Sequence, residues 1–112
     1  MENLKIKQKT EDMIQYAYIA LCQFPKSEKF SLAQDIKRTM FAVLEKIIRT
    51  NRSRDKRAML YDIDTELGIL RTQMRMAMEL QFLPFGKYEV WSGYIAEIGR
   101  MLGGWLKSVN KG

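Results

Sequence analysis

The chain has 112 residues, of which 46% are hydrophobic and 29% charged, enough for one buried core and too short for two. Histidine is absent and cysteine occurs once, at Cys22, which excludes a Ser-His-Asp triad, a His/Cys zinc site and a disulfide framework. Lysine and arginine total 19 against 13 acids, a net charge of +6 that fits nucleic acid, an anionic membrane surface or an acidic partner, as well as plain solubility.

The longest charge-free stretch, Met13 to Pro25, is 13 residues and contains Gln15 and Gln23, whereas a membrane span needs about 20 predominantly apolar residues. Lys5, Lys7 and Lys9 precede an apolar stretch as in an export signal. Glu11 and Asp12 interrupt that basic region, and the bulky Leu21 stands where processing needs a small residue. The cytoplasm is therefore the expected compartment, and a lone cysteine suits its reducing conditions.

The spacing of apolar residues predicts four helices in one domain spanning residues 1–112. The first covers about residues 10–23, with Ile14, Tyr18 and Leu21 on one face and Cys22 as a small core residue, and it ends at Pro25 and the polar run Lys26-Ser27-Glu28-Lys29. The second, about 31–50, opens on a capping-box pattern, Ser31-Leu32-Ala33-Gln34, and continues through Ile36, Met40, Val43 and Ile47. Asn51 to Arg54 connect it to the third, about 55–82, with Ser53 or Asp55 as its cap. In that helix Ile63, Leu67, Leu70, Met74 and Ala77 step by four, three, four and three, a seam suited to shallow-angle packing. The fourth follows Leu83-Pro84-Phe85-Gly86 and covers about 87–109, with Trp91, Ile95, Ile98, Leu102 and Trp105 or Leu106 inward. Short connections between helices favour antiparallel neighbours, so the expected fold is all-α, an up-down four-helix bundle.

Met76 and Met78 fall on nearly opposite sides of the third helix, and Tyr94, Met101 and Trp105 surround the inward stripe of the fourth. Helices apolar on several faces are covered on several faces, which points to self-association beside a generously packed core.

Basic residues concentrate where the second helix meets the third. Lys46, Arg49, Arg52, Arg54, Lys56 and Arg57 are opposed there only by Asp55. Such a turn can meet phosphates and release their counterions, giving binding that weakens steeply with salt, or it can simply be a solvated loop. Arg71 and Arg75, four residues apart, share one face of the third helix. Glu79 is positioned to pair with Arg75, Glu97 or Glu89 are candidate interhelix partners, and a shared basic surface in an assembly is the alternative. Asp62, Asp64 and Glu66 lie on successive sides of their helix and cannot all converge on one metal. Gly99 and Gly103 form a small-xxx-small pair that permits close helix approach. No catalytic constellation, metal site or cofactor motif is visible.

Three segments carry a resemblance: Phe24-Pro25-Lys26-Ser27-Glu28-Lys29-Phe30-Ser31-Leu32, Leu70-Arg71-Thr72-Gln73-Met74-Arg75, and Ala96-Glu97-Ile98-Gly99-Arg100-Met101-Leu102-Gly103-Gly104-Trp105-Leu106. Together they resemble the accessory variability determinant (Avd) family of diversity-generating retroelements and the related four-helix-bundle proteins of ribosomal-RNA intervening sequences. The resemblance spans Thr10 to Asn110, and the Gly-Gly-Trp-Leu segment is its most specific part. It implies a homopentameric barrel of bundles with a basic outer surface, without enzymatic activity or cofactor. That barrel would bind RNA or DNA and the retroelement's reverse transcriptase, supporting mutagenic cDNA synthesis from template RNA. The family's Leu-Arg-x-x-Leu/Met-Arg motif matches at Arg71 and Arg75, which the resemblance assigns to the basic surface and partner binding. After Arg75 the sequence departs from the pattern: Met76 to Leu83 contains no further basic residue. The corner from Lys46 to Arg57 lies outside any family motif and rests on composition.

Three other readings compete. An intervening-sequence protein of the same fold would sit beside an interrupted ribosomal-RNA gene rather than a reverse transcriptase gene. A small helical enzyme of the chorismate-mutase type would need charges converging on a pocket. A purely structural scaffold would use its charge for solubility alone.

Overall fold

The computed structural model describes residues 3–111 as helices joined by short connections, with no strand among the described residues. The helices are α1 (Leu4–Leu21), α2 (Leu32–Asn51), α3 (Arg57–Glu79) and α4 (Phe85–Lys111), and one 3-10 turn, Lys26–Glu28, lies between α1 and α2. Each helix packs on two neighbours, α1 on α2 and α4, and α3 on α2 and α4, so the four form a square with empty diagonals. Contacts between residues far apart in sequence fix the directions. Asn51 at the end of α2 accepts the Asn3 N–H at 2.8 Å, Lys46 of α2 reaches Glu66 of α3, and Phe24 stacks near Phe82 with centroids 5.9 Å apart. Every adjacent pair is therefore antiparallel, as the short connections predict. The bundle measures 47 × 23 × 19 Å.

The heptad-like spacing of α2 to α4 translates directly into burial. Ile36, Met40, Val43 and Ile47 of α2, Ile63, Leu67, Leu70, Met74 and Ala77 of α3, and Trp91, Ile95, Ile98, Leu102 and Trp105 of α4 all lie in one core. Single helices of this length are marginal in water, so this shared apolar seam supplies most of their stability. Leu32 and Leu106 pack at its margin and are only partly buried.

Six local expectations need correction. Helix α1 begins at Leu4 rather than near Thr10, because Ile6 is buried and extends the inward face by more than a turn. Thr10 is helical, its hydroxyl donating to the Ile6 carbonyl at 2.8 Å. On this helix Met13, Ile14, Ala17, Ala20 and Leu21 face inward, while Tyr18 is exposed and carries the Lys37 ammonium 4.7 Å from its ring centroid. Cys22, at the end of α1, is also exposed, since Leu21 and Phe24 take the inward positions on either side.

The capping box at Ser31 is not formed. Ser31 has φ −126° and ψ −105°, outside the extended region that aims a cap hydroxyl at the first-turn amides, and it meets α2 through its carbonyl, which accepts from the Asp35 N–H at 3.0 Å. Neither Ser53 nor Asp55 caps α3. Lys56 takes that place without a side-chain hydrogen bond, and the Ser53 hydroxyl donates instead to the Asp55 carbonyl at 2.9 Å. Helix α3 ends earlier than the apolar run predicts. Gln81 adopts φ 67°, the Phe82 N–H donates to the Ala77 carbonyl at 2.9 Å, and the Gln81 N–H donates to the Met78 carbonyl at 3.0 Å. This is a Schellman ending built on a glutamine where glycine is usual.

Candidate nucleic-acid interface

Antiparallel topology brings the α2–α3 corner, the start of α1 and the end of α4 to one end of the bundle. The basic corner therefore meets further cations that the sequence separates widely, Lys5 on α1 and Lys107 and Lys111 on α4, all exposed. At the other end lie the turns around Lys26–Glu28 and Gln81–Pro84, where exposed apolar side chains gather: Phe30, Leu80 and Phe85, with Val90 one turn along α4. The arginines of the corner and the apolar side chains Phe30, Leu80 and Phe85 thus stand at opposite ends of the molecule.

Within the corner the six cations divide into two groups. Lys46 is committed to α3 through a 2.8 Å ion pair with Glu66, both side chains largely covered. Arg49 pairs with Glu45 one turn earlier on α2 at 3.3 Å. Lys56 curls back, its ammonium donating to the carbonyls of Thr50 at 3.0 Å and of Ser53, and so closes the corner as a structural brace. Arg52, Arg54 and Arg57 make no ion pair among the described residues and are exposed. These three are the cations free to meet phosphate. They are also arginines, whose planar fork can hold two phosphate oxygens together.

Arg71 and Arg75 stand elsewhere, about 21 and about 27 Å beyond Arg57 along α3 at 1.5 Å per residue. Arg75 pairs with Glu79 at 2.9 Å, as their spacing predicts, and both side chains remain half exposed. Neither arginine bridges to α4 through Glu97 or Glu89. Glu97 is engaged by Lys9 at 3.3 Å and by Arg100 at 3.8 Å. The Arg71 guanidinium instead lies over Gly99, where an added Cβ would stand 3.1 Å from Nη2, and it lines a recess of about 270 Å³ with Tyr88, Ser92 and Ala96. Gly99 thus makes room for an arginine rather than for a helix, and nothing of this chain comes within 4 Å of a Cβ added at Gly103. Arg71 has no ion-pair partner among the described residues and forms a second, smaller cationic point.

Of the surplus apolar residues on α3 and α4, Tyr94 and Met101 pack against the core and Trp105 belongs to it, whereas Met76 stays half exposed. Ile69 lies seven residues before Met76, and on α2 Phe41 and Ile48 repeat that spacing, so two helices present uncovered apolar rows. No helix of the described residues is long and apolar enough to cross a membrane.

With the fold and its cations placed, comparison with known families is decisive: the bAvd-like family matches residues 4–109, which takes in α1 to α3 whole and α4 to within two residues of its end. The chain belongs to the bAvd-like family. No curated protein matches it. Within this bAvd-like chain the match extends six residues upstream of the Thr10 boundary read from sequence, which agrees with the start of α1 at Leu4.

Proposed function

We propose that this chain is a non-enzymatic accessory protein of a diversity-generating retroelement. In this reading it assembles as a homopentamer in the cytoplasm and holds template RNA or DNA together with the cognate reverse transcriptase during mutagenic cDNA synthesis. The observation that carries the nucleic-acid part is the set of three unpaired, exposed arginines at one end of the bundle, Arg52, Arg54 and Arg57. They already lie in water, so contact with phosphate carries little desolvation cost and releases counterions. Five copies at +6 each carry a charge of about +30, a field that concentrates polyanions at low salt.

Self-assembly has its support in the uncovered rows Ile69–Met76 and Phe41–Ile48. Phe30, Leu80 and Phe85 offer a protein partner an apolar docking end away from the arginines. On this reading the purified protein runs at about five times its 13.2 kDa mass and binds a structured RNA and a DNA duplex tightly at about 50 mM salt. Affinity falls by orders of magnitude at about 200 mM. Fluorescence anisotropy in buffers where the mass is measured in parallel checks both. A monomer, or binding absent at the lower salt, contradicts the reading.

A further inference from the structure

At the basic end an open groove of about 440 Å³ runs between the start of α3 and the last turns of α4, lined by Arg54, Lys56, Arg57, Tyr61 and Val109. Tyr61 is 51% exposed and lies one helical turn beyond Arg57, so its ring and that guanidinium share a face. Its surroundings set it apart from the other tyrosines. Tyr16 and Tyr94 pack as a tilted ring pair, as do Tyr88 and Phe85, and Tyr18 lies beneath the Lys37 ammonium. Among the described residues Tyr61 alone of the five tyrosines has no aromatic or cationic partner. Beside it α3 opens with no side-chain cap and no acidic residue in its first turn, and the acid at this end is Asp55, one residue before the cap position.

We propose that this groove binds a single-stranded segment of nucleic acid, with an unpaired base stacked on Tyr61 and its flanking phosphates held by Arg54 and Arg57. The inference rests on the nucleic-acid reading and adds a discrimination that charge alone lacks. Phosphate contacts take single and double strands alike, whereas an aromatic platform is open only to a base released from its pair. Asp55 also lines the groove and opposes phosphate there, so Arg54 and Arg57 must outweigh it.

The test uses the full chain with labelled oligouridylate and oligothymidylate of about 12 nucleotides and duplexes of the same length, within the site size such platforms cover. Tyr61→Leu is expected to weaken binding of both single strands by about 10- to 100-fold while changing duplex affinity less than about twofold, and Tyr61→Phe is expected to bind as the parent does. Photocrosslinking of 5-iodouridine within the RNA is expected to attach at Tyr61. Thermal melts of each variant establish that the bundle is intact, as the half-exposed position predicts. An unchanged single-strand affinity in Tyr61→Leu, or equal losses for single strand and duplex, overturns the stacking site and leaves the accessory role standing. Failure of the parent protein to bind any of the four probes at about 50 mM salt overturns both.

Discussion

Reversing Arg52, Arg54 and Arg57 together to glutamate is expected to reduce affinity for RNA and DNA by at least about 100-fold at low salt, with the helical content unchanged. Each neutralised phosphate of a duplex contributes about 0.9 to the slope of log K against log salt, so three lost contacts per site flatten the slope by about 2.7. The folded state tolerates the change because the three side chains are exposed and unpaired, positions where substitution stays within about 0.5 kcal/mol. Reversing Arg71 and Arg75 is expected to have a smaller effect on nucleic acid, since Glu79 already balances Arg75 and only Arg71 loses a free charge. A larger loss from the Arg71/Arg75 pair than from the corner triple, in the same anisotropy titration, would move the interface to the middle of α3.

The second large effect concerns the core. Trp91→Ala is expected to destabilise the bundle by about 3–5 kcal/mol, a large part of the roughly 5–15 kcal/mol that a domain commands. Trp91 is fully buried in the second turn of α4, in the same core as the inward residues of α3, so its removal leaves a cavity that a close-packed interior refills only in part. Among the described residues its Nε1 meets no hydrogen-bond acceptor. Trp91→Phe removes that donor while keeping most of the ring, and is therefore expected to cost less than half as much as the alanine. Urea unfolding followed by circular dichroism, at one fixed protomer concentration so that assembly contributes equally, orders the three proteins. Equal losses for alanine and phenylalanine would contradict the assignment of this residue's value to the volume it fills.

The fold was legible wherever the apolar period was unbroken. Ile63 to Ala77 and Trp91 to Trp105 keep a three-four step, and each of those inward positions is buried. The start of α1 was hidden because Lys5, Lys7 and Lys9 alternate with Leu4, Ile6 and Gln8, a pattern with no helical period. What makes that segment helical is distant in sequence, the docking of Ile6 into the core and the tie between Asn3 and Asn51. The end of α3 was equally obscure, since Gln81 takes a left-handed conformation without the glycine that announces it.

For the candidate interface, composition located the corner but could not divide it. The Arg75–Glu79 pair is local and readable at four-residue spacing. Lys46 meets an acid 20 residues away, and Lys56 turns onto its own backbone, so neither commitment shows in a list of charges. Tyr61 reads in sequence as an ordinary surface tyrosine. Only the return of α4 beside the start of α3, which brings Val109 into the same groove, gives it a setting.

Hydrogen exchange with and without a saturating structured RNA at about 50 mM salt, read peptide by peptide by mass spectrometry, addresses the basic end most directly. The expected result is slowed exchange in peptides covering Arg49 to Tyr61 and the last turns of α4, with the apolar end around Phe30 and Phe85 unchanged. Slowed exchange confined to the peptide containing Arg71 and Arg75, or spread over the apolar end, would contradict the assignment of nucleic acid to the three free arginines.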